Sequence, residues 1–220
     1  MMKISEKTVD VLKNFATINS SIAFKEGNKI RTVSEQKNIL AQAIVPETFP
    51  RDFAIYELNQ LLGLVSLFDD ADIEFAEKNL TVTEGNNTAR YTYTDQSMVT
   101  QPPEKNIELP SEDVSFDMTK EQLGKVMNAA NQLALPEVVV RGDGSKIKLV
   151  ATDTKNPTSN EFSINVGTTA DTFNFIFKVE NLKMIPANYQ VAISAKGISQ
   201  FKGAVAQYWI ATEAGSSFNG

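Results

Sequence analysis

Four carboxylates, Asp69, Asp70, Asp72 and Glu74, form the densest cluster of side chains that could do chemistry in this chain. Carboxylate oxygens are the ligands that hard divalent cations prefer, so the cluster could serve a metal-dependent hydrolase. The glycine and the spaced ligands of a calcium loop are lacking, and a solvated acidic turn is the favoured interpretation. A carboxylate-dependent hydrolase therefore ranks last among the functions that we weigh.

Two reactive residue types are missing, because the 220 residues contain neither cysteine nor histidine. Disulfides, thiolate nucleophiles, zinc sites with Cys or His ligands and triads with an imidazole base are thereby excluded. No phosphate-binding glycine motif follows a predicted strand, and the nearest match, Gly142-Asp143-Gly144, is predicted to be a hairpin turn. Most hydrolytic and metal-dependent chemistry therefore lacks its usual side chains.

Lysines are the second group with chemical meaning, because clustered basic residues attract nucleic-acid phosphates. The net charge is −6, so only a local cluster could serve this purpose. Basic residues do occur on or beside the predicted helices: Lys3, Lys7, Lys13, Lys120, Lys125, Lys178 and Lys183. A fold with its helices on one side would collect them on one surface, whereas the alternative is an ordinary scatter over solvated helix faces.

Two amphipathic helices are predicted to carry most of these lysines. Residues 5–19 and 119–133 each place apolar side chains at helical spacing. Ser5 and Thr119 are the expected N-caps, since their hydroxyls can accept from the unpaired N–H groups of the first turn. Each half of the chain therefore opens with a helix of the same design.

The rest of the chain reads as short strands joined by turns too tight for crossover helices, which predicts antiparallel hairpins. One motif, an apolar strand that runs into a short helix, occurs in residues 52–68 and again in residues 172–186. These copies are separated by a little over half of the chain, as a duplication requires. The predicted fold class is α+β, with two similar domains that each pack two helices on antiparallel sheets.

The predicted domains are residues 1–95 and 118–220, joined by an extended connector over 96–117. The connector contains three prolines and little periodicity. The apolar residues of the connector could form a docking site for a partner, or they could merely hold the connector against the rest of the protein. These residues are Met98, Val99, Ile107 and Leu109. No apolar run is long enough to span a bilayer and no hydrophobic signal core begins the chain, so a cytosolic location is expected.

Several stretches resemble the sliding clamps of T-even-like bacteriophages, the DNA polymerase processivity subunits of phage replisomes. The resemblance runs from Met2 to about Gly215. It is strongest at LKNFATINS (residues 12–20), AIYELNQLLGLVSL (54–67) with the following DDADI, TFNFIFKVENLKMIPANYQV (172–191) and AKG (195–197).

This resemblance implies the DNA clamp fold, in which three subunits join head to tail into a closed ring whose helices line a central hole. The implied function is topological and non-enzymatic and needs no cofactor: the ring encircles duplex DNA without reading its sequence and tethers the replicative DNA polymerase. A clamp loader ATPase is an implied partner, and the family also admits the late transcription machinery. The expected location is the cytoplasm of the infected bacterial host, with no membrane association.

The resemblance also suggests roles for individual residues. Facing the DNA would be Lys7, Lys13, Lys120, Lys125, Lys178 and Lys183. Strand edges near residues 88–94 and 161–166 would join neighbouring subunits through Ala89, Tyr91, Tyr93, Phe162, Ile164 and Val166. A pocket for partner peptides would use Val99, Ile107, Leu109, Tyr208, Trp209 and Ile210, although the lone tryptophan suits a core position equally well.

One feature departs from the pattern of the family. The third helix carries Asn128, Asn131 and Gln132 where inner helices of clamps are often basic, so we expect a weakly positive lining. The alternative function is a non-enzymatic structural or assembly protein with a duplicated β-rich domain, which would equally lack catalytic residues. Dependence of polymerase processivity on this chain would separate the two.

Overall fold

The computed structural model describes residues 1–105 and 107–219, and the chain divides into two units, Met1–Lys105 and Asn106–Gly220. Asn106, in the predicted connector, and Gly220, at the end of the predicted second domain, lie outside the described residues.

The first unit contains two helices and seven strands among the residues that the structure describes. In chain order these are α1 (Glu6–Ile18), β1 (Ile22–Phe24), β2 (Gly27–Val33), β3 (Ile39–Phe49), β4 (Phe53–Ile55), α2 (Leu58–Val65), β5 (Asp72–Phe75), β6 (Asn79–Glu84) and β7 (Asn87–Thr92), followed by a 3-10 turn at Gln96–Met98. Strand β1 pairs with β4, β2 pairs with β3, and β5, β6 and β7 form a meander. All of these pairs are antiparallel, as predicted.

The second unit follows the same plan. Its elements are β8 (Val114–Met118), α3 (Lys120–Gln132), β9 (Glu137–Asp143), β10 (Lys146–Thr152), β11 (Phe162–Thr168), β12 (Thr172–Lys178), a 3-10 turn at Val179–Asn181, β13 (Tyr189–Ser194), β14 (Ile198–Gly203), β15 (Ala206–Ala211) and β16 (Ser217–Asn219). One sheet has the order β11-β10-β9-β12-β16, and β8, β13, β14 and β15 lie side by side in another.

The duplication predicted from the sequence is confirmed by the strand pairings. The β1–β4 pair corresponds to β9–β12, β2–β3 corresponds to β10–β11, and the β5-β6-β7 meander corresponds to β13-β14-β15. The segments before α1 and α3 also make equivalent pairings. Met2 forms an isolated bridge with Ile73 of β5, and β8 pairs with β13, the counterpart of β5.

Helices α1 and α3 each pack an apolar stripe on strands of their own unit. In α1 the buried residues are Thr8, Val11, Leu12, Phe15 and Ile18, and in α3 they are Leu123, Val126 and Ala130. This i, i+3, i+4 spacing is the predicted one, and it leaves the opposite helix faces in contact with solvent. Ser5 and Thr119 are the N-caps, as predicted.

The predicted fourth helix, within residues 172–186, is wrong. After β12 the chain makes only the three-residue 3-10 turn Val179–Asn181. Leu182 and Met184 are both buried at a spacing of two residues, which an extended backbone achieves and a helix does not. Pro186 has no backbone N–H to continue a helix.

The final part of the predicted connector is a strand. Val114–Met118 forms β8, whose terminal residues Val114 and Met118 are buried and which pairs with β13. Val114, Phe116 and Met118 alternate with the polar Ser115 and Asp117, which is the period of a strand, and the sequence analysis overlooked this signal. The boundaries of the connector at 96 and 117 stay a prediction.

Candidate functional site

Helix α1 exposes both of the lysines that were assigned to DNA. Lys7 and Lys13 lie on the face opposite the buried stripe, together with the exposed carboxylates Glu6 and Asp10. The two charges of each sign offset one another. This face alone therefore carries no net charge and offers little attraction to phosphates.

Helix α3 presents Lys120 and Lys125 to solvent in the same manner. The Lys125 ammonium lies 2.6 Å from the Glu121 carboxylate, and this contact holds the pKa of Glu121 below its usual value. Asn128, Asn131 and Gln132 are also exposed, so this helix face carries uncharged polar groups beside its two lysines.

Lys178 and Lys183 do not lie on a helix, in contrast to the prediction. Lys178 is the last residue of β12, and its ammonium lies 3.9 Å from carboxylate oxygens of both Glu180 and Glu213. Lys183 follows the 3-10 turn and is exposed. The structure thus places these two lysines in a different local setting from the four on α1 and α3.

Helix α2 adds a surface that the sequence analysis did not single out. Its exposed positions are uncharged: Asn59, Gln60 and Gly63, followed by Ser66 at its C-cap. A signal was available, because residues 58–66 contain no ionisable side chain. An uncharged polar surface neither attracts nor repels phosphates strongly.

The predicted interface residues of β7 turn towards their own unit. Ala89 and Tyr91 are half-buried and alternate with the exposed Thr88, Arg90 and Thr92. The Tyr91 hydroxyl donates to the carbonyl of Glu57 at 3.0 Å.

Tyr93, just beyond β7, packs its ring against the core of its own unit. Its ring stacks on Phe53 with a centroid separation of 4.9 Å, and burial raises the pKa of Tyr93 to about 12. Side-chain contacts of Tyr91 and Tyr93 with a second copy would therefore be restricted to their outer edges.

Strand β11 shows the same alternation in the second unit. Phe162, Ile164 and Val166 are half-buried, whereas Ser163 and Asn165 are exposed. Helix α3 contacts β11, so the apolar side of this strand already has a covering within its own unit.

Both strands offer a free backbone edge. Among the described residues, β7 pairs only with β6 and β11 pairs only with β10. An unpaired edge carries a row of N–H and C=O groups that can bind another strand. What these strands offer to a partner is therefore their backbone more than the side chains named from the sequence.

The residues predicted for the partner pocket differ in exposure. Ile107 and Leu109 are half-buried, and Val99 is 6% exposed. Tyr208 and Ile210 are 0% exposed, and Trp209 is 6% exposed. The last three could support the floor of a pocket but could not contact a peptide directly.

Tyr208 belongs to a hydrogen-bonded core of the second unit. The Ile185 backbone N–H donates to the Tyr208 hydroxyl at 3.1 Å, and the Tyr189 hydroxyl donates to the Ile185 carbonyl. Burial raises the pKa of Tyr208 to about 12. The polar end of each tyrosine is thus used internally.

The acidic cluster of residues 69–74 is organised as a turn. The backbone N–H groups of Asp69 and Asp70 donate to one carboxylate oxygen of Glu84, at 3.1 and 2.6 Å, and Lys3 forms an ion pair with Asp70. In the part of the chain that the structure describes, no group of three or more acidic side chains is arranged to hold a metal ion.

Comparison with known proteins decides the family. The family model described as DNA polymerase processivity factor matches residues 3–100, and the model described as gp45 sliding clamp, C terminal, matches residues 115–214. The sliding clamp of Vibrio phage KVP40 is 38% identical over 97% of this chain and 100% of the relative. The chain belongs to the sliding clamp family. The clamp of Enterobacteria phage T4 is 33% identical over 98% of this chain and 99% of its own length.

Solved structures support the clamp fold independently of sequence. A chain in the structure of the C-terminal region of FEN-1 bound to A. fulgidus PCNA has a TM-score of 0.70 at 15% identity, with 95% of this clamp and 96% of that chain covered. DNA polymerase III subunit beta from Borrelia burgdorferi has a TM-score of 0.71 at 13% identity. This clamp is covered to 97%, but it spans only 64% of that bacterial subunit.

These findings confirm the predicted family, fold class and general function. The protein is a phage-type sliding clamp, a DNA polymerase processivity factor, and it is not an enzyme. Among the described residues, no helix combines the length and the apolar character needed to cross a membrane.

Proposed function

We propose that three copies of this clamp close into a ring around duplex DNA and tether the phage's replicative DNA polymerase. The observation that carries the proposal is the duplicated unit, in which each copy exposes one polar helix face and has a sheet that ends in a strand with an edge unpaired among the described residues, β7 in the first unit and β11 in the second. Head-to-tail contacts between two different edges can close into a ring with a single type of chain.

The subunit contact in this proposal joins β7 of one copy to β11 of the next. Backbone hydrogen bonds would provide the continuity, and Ala89, Tyr91, Tyr93, Phe162, Ile164 and Val166 would back the joined edges. Light scattering over a dilution series tests the assembly, and a mass near three times 24.2 kDa is expected. A monomer at every concentration would rule out the ring.

The absence of natural cysteine allows a sharper test of the contact. Arg90→Cys on β7 and Ser163→Cys on β11 replace exposed side chains near the middle of each strand. In the double variant, a short bis-maleimide should link copies into covalent dimers and trimers. The two single variants are the controls, and equal cross-linking in all three would place the contact elsewhere.

The DNA-facing surface is proposed to comprise Lys7, Lys13, Lys120, Lys125, Lys178 and Lys183. Carboxylates accompany the lysines on α1 and α3, so the contact with phosphates would be weak enough to permit sliding. Clamps loaded on nicked circular DNA should stay bound and should be lost when the DNA is linearised. Retention on linear DNA with free ends would contradict encirclement.

The proposed partners are the replicative DNA polymerase, a clamp loader ATPase that opens the ring, and the late transcription machinery. Apolar anchors of partner peptides would dock on Ile107 and Leu109 of the connector 96–117, with Val99, Tyr208, Trp209 and Ile210 as support. These events would take place in the cytoplasm of the infected bacterium.

A primer-extension assay with the phage polymerase and loader tests the tether directly. Product length per binding event should rise only when the clamp is present. Unchanged product length, together with intact trimers, would favour the alternative of a structural or assembly protein.

A further inference from the structure

An arginine on β2, Arg31, contacts the backbone of a segment 72 residues further along the chain. Nη1 of Arg31 donates to the carbonyl of Pro103 at 2.6 Å and lies 3.4 Å from the carbonyl of Glu104. Both contacts lie within the first unit. They are made to a stretch without helix or strand, residues 101–105, which we call the strap.

The strap has few other ways to be held in place. Pro102 and Pro103 lack backbone N–H groups, so this part of the chain can be anchored mainly through its carbonyls. The Gln101 side chain donates to the carbonyl of Gln96 at 3.1 Å, but this contact is local. For residues 102–105, all of them described, the bonds from Arg31 are the only hydrogen bonds to the rest of the protein.

Among the residues that the structure describes, the Arg31 side chain makes its hydrogen bonds only to the strap. It is half-buried, no described carboxylate lies within 4.0 Å of its guanidinium, and burial lowers the pKa of Arg31 below its usual value. Its Nε is buried without a hydrogen-bond partner. A guanidinium that loses hydrogen bonds to water on burial needs protein acceptors in their place. The acceptors that Arg31 contacts are the two strap carbonyls.

We propose that Arg31 is a positioning residue that fixes the strap on β2 and thereby prepares the connector for the DNA polymerase. This inference rests on the proposed function, because the docking residues Ile107 and Leu109 follow the strap closely in the sequence. A connector that is ordered before the partner arrives spares part of the entropy cost of binding. Arg31 would therefore raise affinity without touching the partner.

Three variants separate positioning from charge. Arg31→Gln removes the guanidinium, Arg31→Lys keeps the charge but replaces the planar guanidinium with an ammonium, and Lys29→Gln removes an exposed charge two residues away on the same strand. Thermal unfolding and light scattering of each variant establish that the fold and the assembly are retained.

The first readout is local and does not depend on a partner. Trypsin cleavage after Lys105, followed by mass spectrometry, reports how often the strap leaves β2. We expect cleavage to be about tenfold faster in Arg31→Gln and to be intermediate in Arg31→Lys, with no change in Lys29→Gln. Equal cleavage rates in Arg31→Gln and the unaltered protein would overturn the positioning role.

The second readout is the affinity for purified replicative DNA polymerase of the same phage. Arg31→Gln should weaken binding by about tenfold, and Arg31→Lys should restore part of the loss. Faster cleavage with unchanged affinity would overturn the link between the strap and the partner. If the unaltered clamp binds no polymerase, the proposed function fails, and cleavage alone then decides the positioning role.

Discussion

Helices α1 and α3 hold equivalent places in the two units, but their first turns are capped in different ways. In α3, the Gln122 N–H donates to the Thr119 hydroxyl at 3.1 Å, and the Thr119 N–H donates to the Gln122 side chain at 2.8 Å. In α1 the corresponding N–H, that of Ser5, donates instead to Glu47 of β3 at 2.5 Å. The N-cap N–H of α3 thus finds its acceptor within the helix, whereas that of α1 finds it on a strand 42 residues away.

The difference shows how a duplicated design can keep its shape with different interactions. Thr8 is 0% exposed, so its hydroxyl needs an acceptor inside the protein, and it donates to the second carboxylate oxygen of Glu47. The negative charge of Glu47 also complements the positive end of the α1 dipole. The N-cap N–H of α1 therefore depends on docking against β3, whereas that of α3 is satisfied within one turn. The next N–H of α3, that of Lys120, does use a distant partner, the Asn188 side chain, at 2.7 Å.

Among the variants that test the difference between the two helix ends, Glu47→Gln should have the largest effect on stability. The glutamine side chain has one oxygen in place of two, so it cannot accept from both the Ser5 backbone N–H and the Thr8 hydroxyl as the carboxylate does. Its NH2 group also adds two N–H donors that need acceptors. We therefore expect the free energy of unfolding to fall by about 2 kcal/mol. Urea denaturation measures the loss. Glu74→Gln on β5 removes an exposed carboxylate and is the matched control, for which little change is expected.

A double-mutant cycle would isolate the contact between Thr8 and Glu47. Thr8→Val keeps the shape of the buried side chain but removes its hydroxyl. Combined with Glu47→Gln, it should reveal a coupling of about 1 kcal/mol between the two positions. Strict additivity of the two losses would mean that Glu47 stabilises α1 through Ser5 alone.

Gln122→Ala tests the local cap of α3 and should have a smaller effect. The Thr119 hydroxyl still accepts from the backbone, so the variant loses one side of the capping box and the long bond from the Gln122 amide to the Asn165 carbonyl, at 3.4 Å. We expect a loss of about 0.5 to 1 kcal/mol. Thermal unfolding of the variant measures it. A loss as large as that of Glu47→Gln would remove the distinction between a local and a distant cap.

The smallest expected effect is a dependence on pH. Burial of Glu47 favours its neutral form, but hydrogen bonds from Thr8 and Ser5 outweigh this and hold the pKa of Glu47 below its usual value of 4.5. Because the pKa is lower in the folded state, the stabilisation is present above about pH 4.5 and is lost as the pH falls through the folded pKa.

Denaturation series at several pH values would check the sign of this effect. The stability difference between the unaltered clamp and Glu47→Gln should shrink from about pH 5 towards about pH 3. A difference that stays constant over this range would show that ionisation of Glu47 does not matter to α1.

Much of the fold could be predicted because it depends on patterns among residues that lie close together in the sequence. The apolar stripes of α1 and α3, the caps at Ser5 and Thr119 and the hairpin at Gly142-Asp143-Gly144 all depend on residues within a few positions. The family, and with it the general function, followed from stretches that resemble known clamps. The fourth helix was wrong because burial of Leu182 and Met184 favours an extended chain after β12.

Residue roles were harder to assign, since a side chain's type does not reveal which way it faces. Periodicity and repeats are properties of the chain, so they were enough to reveal the duplication and helices α1 and α3 with their four lysines. They were not enough for Lys178 and Lys183, which were assigned to a helix that does not form. Only the tertiary structure decided that Tyr208 and Ile210 are core residues, that β7 and β11 keep a free edge, and that Arg31 holds the strap. Each of these depends on contacts between distant segments, which local pattern does not encode.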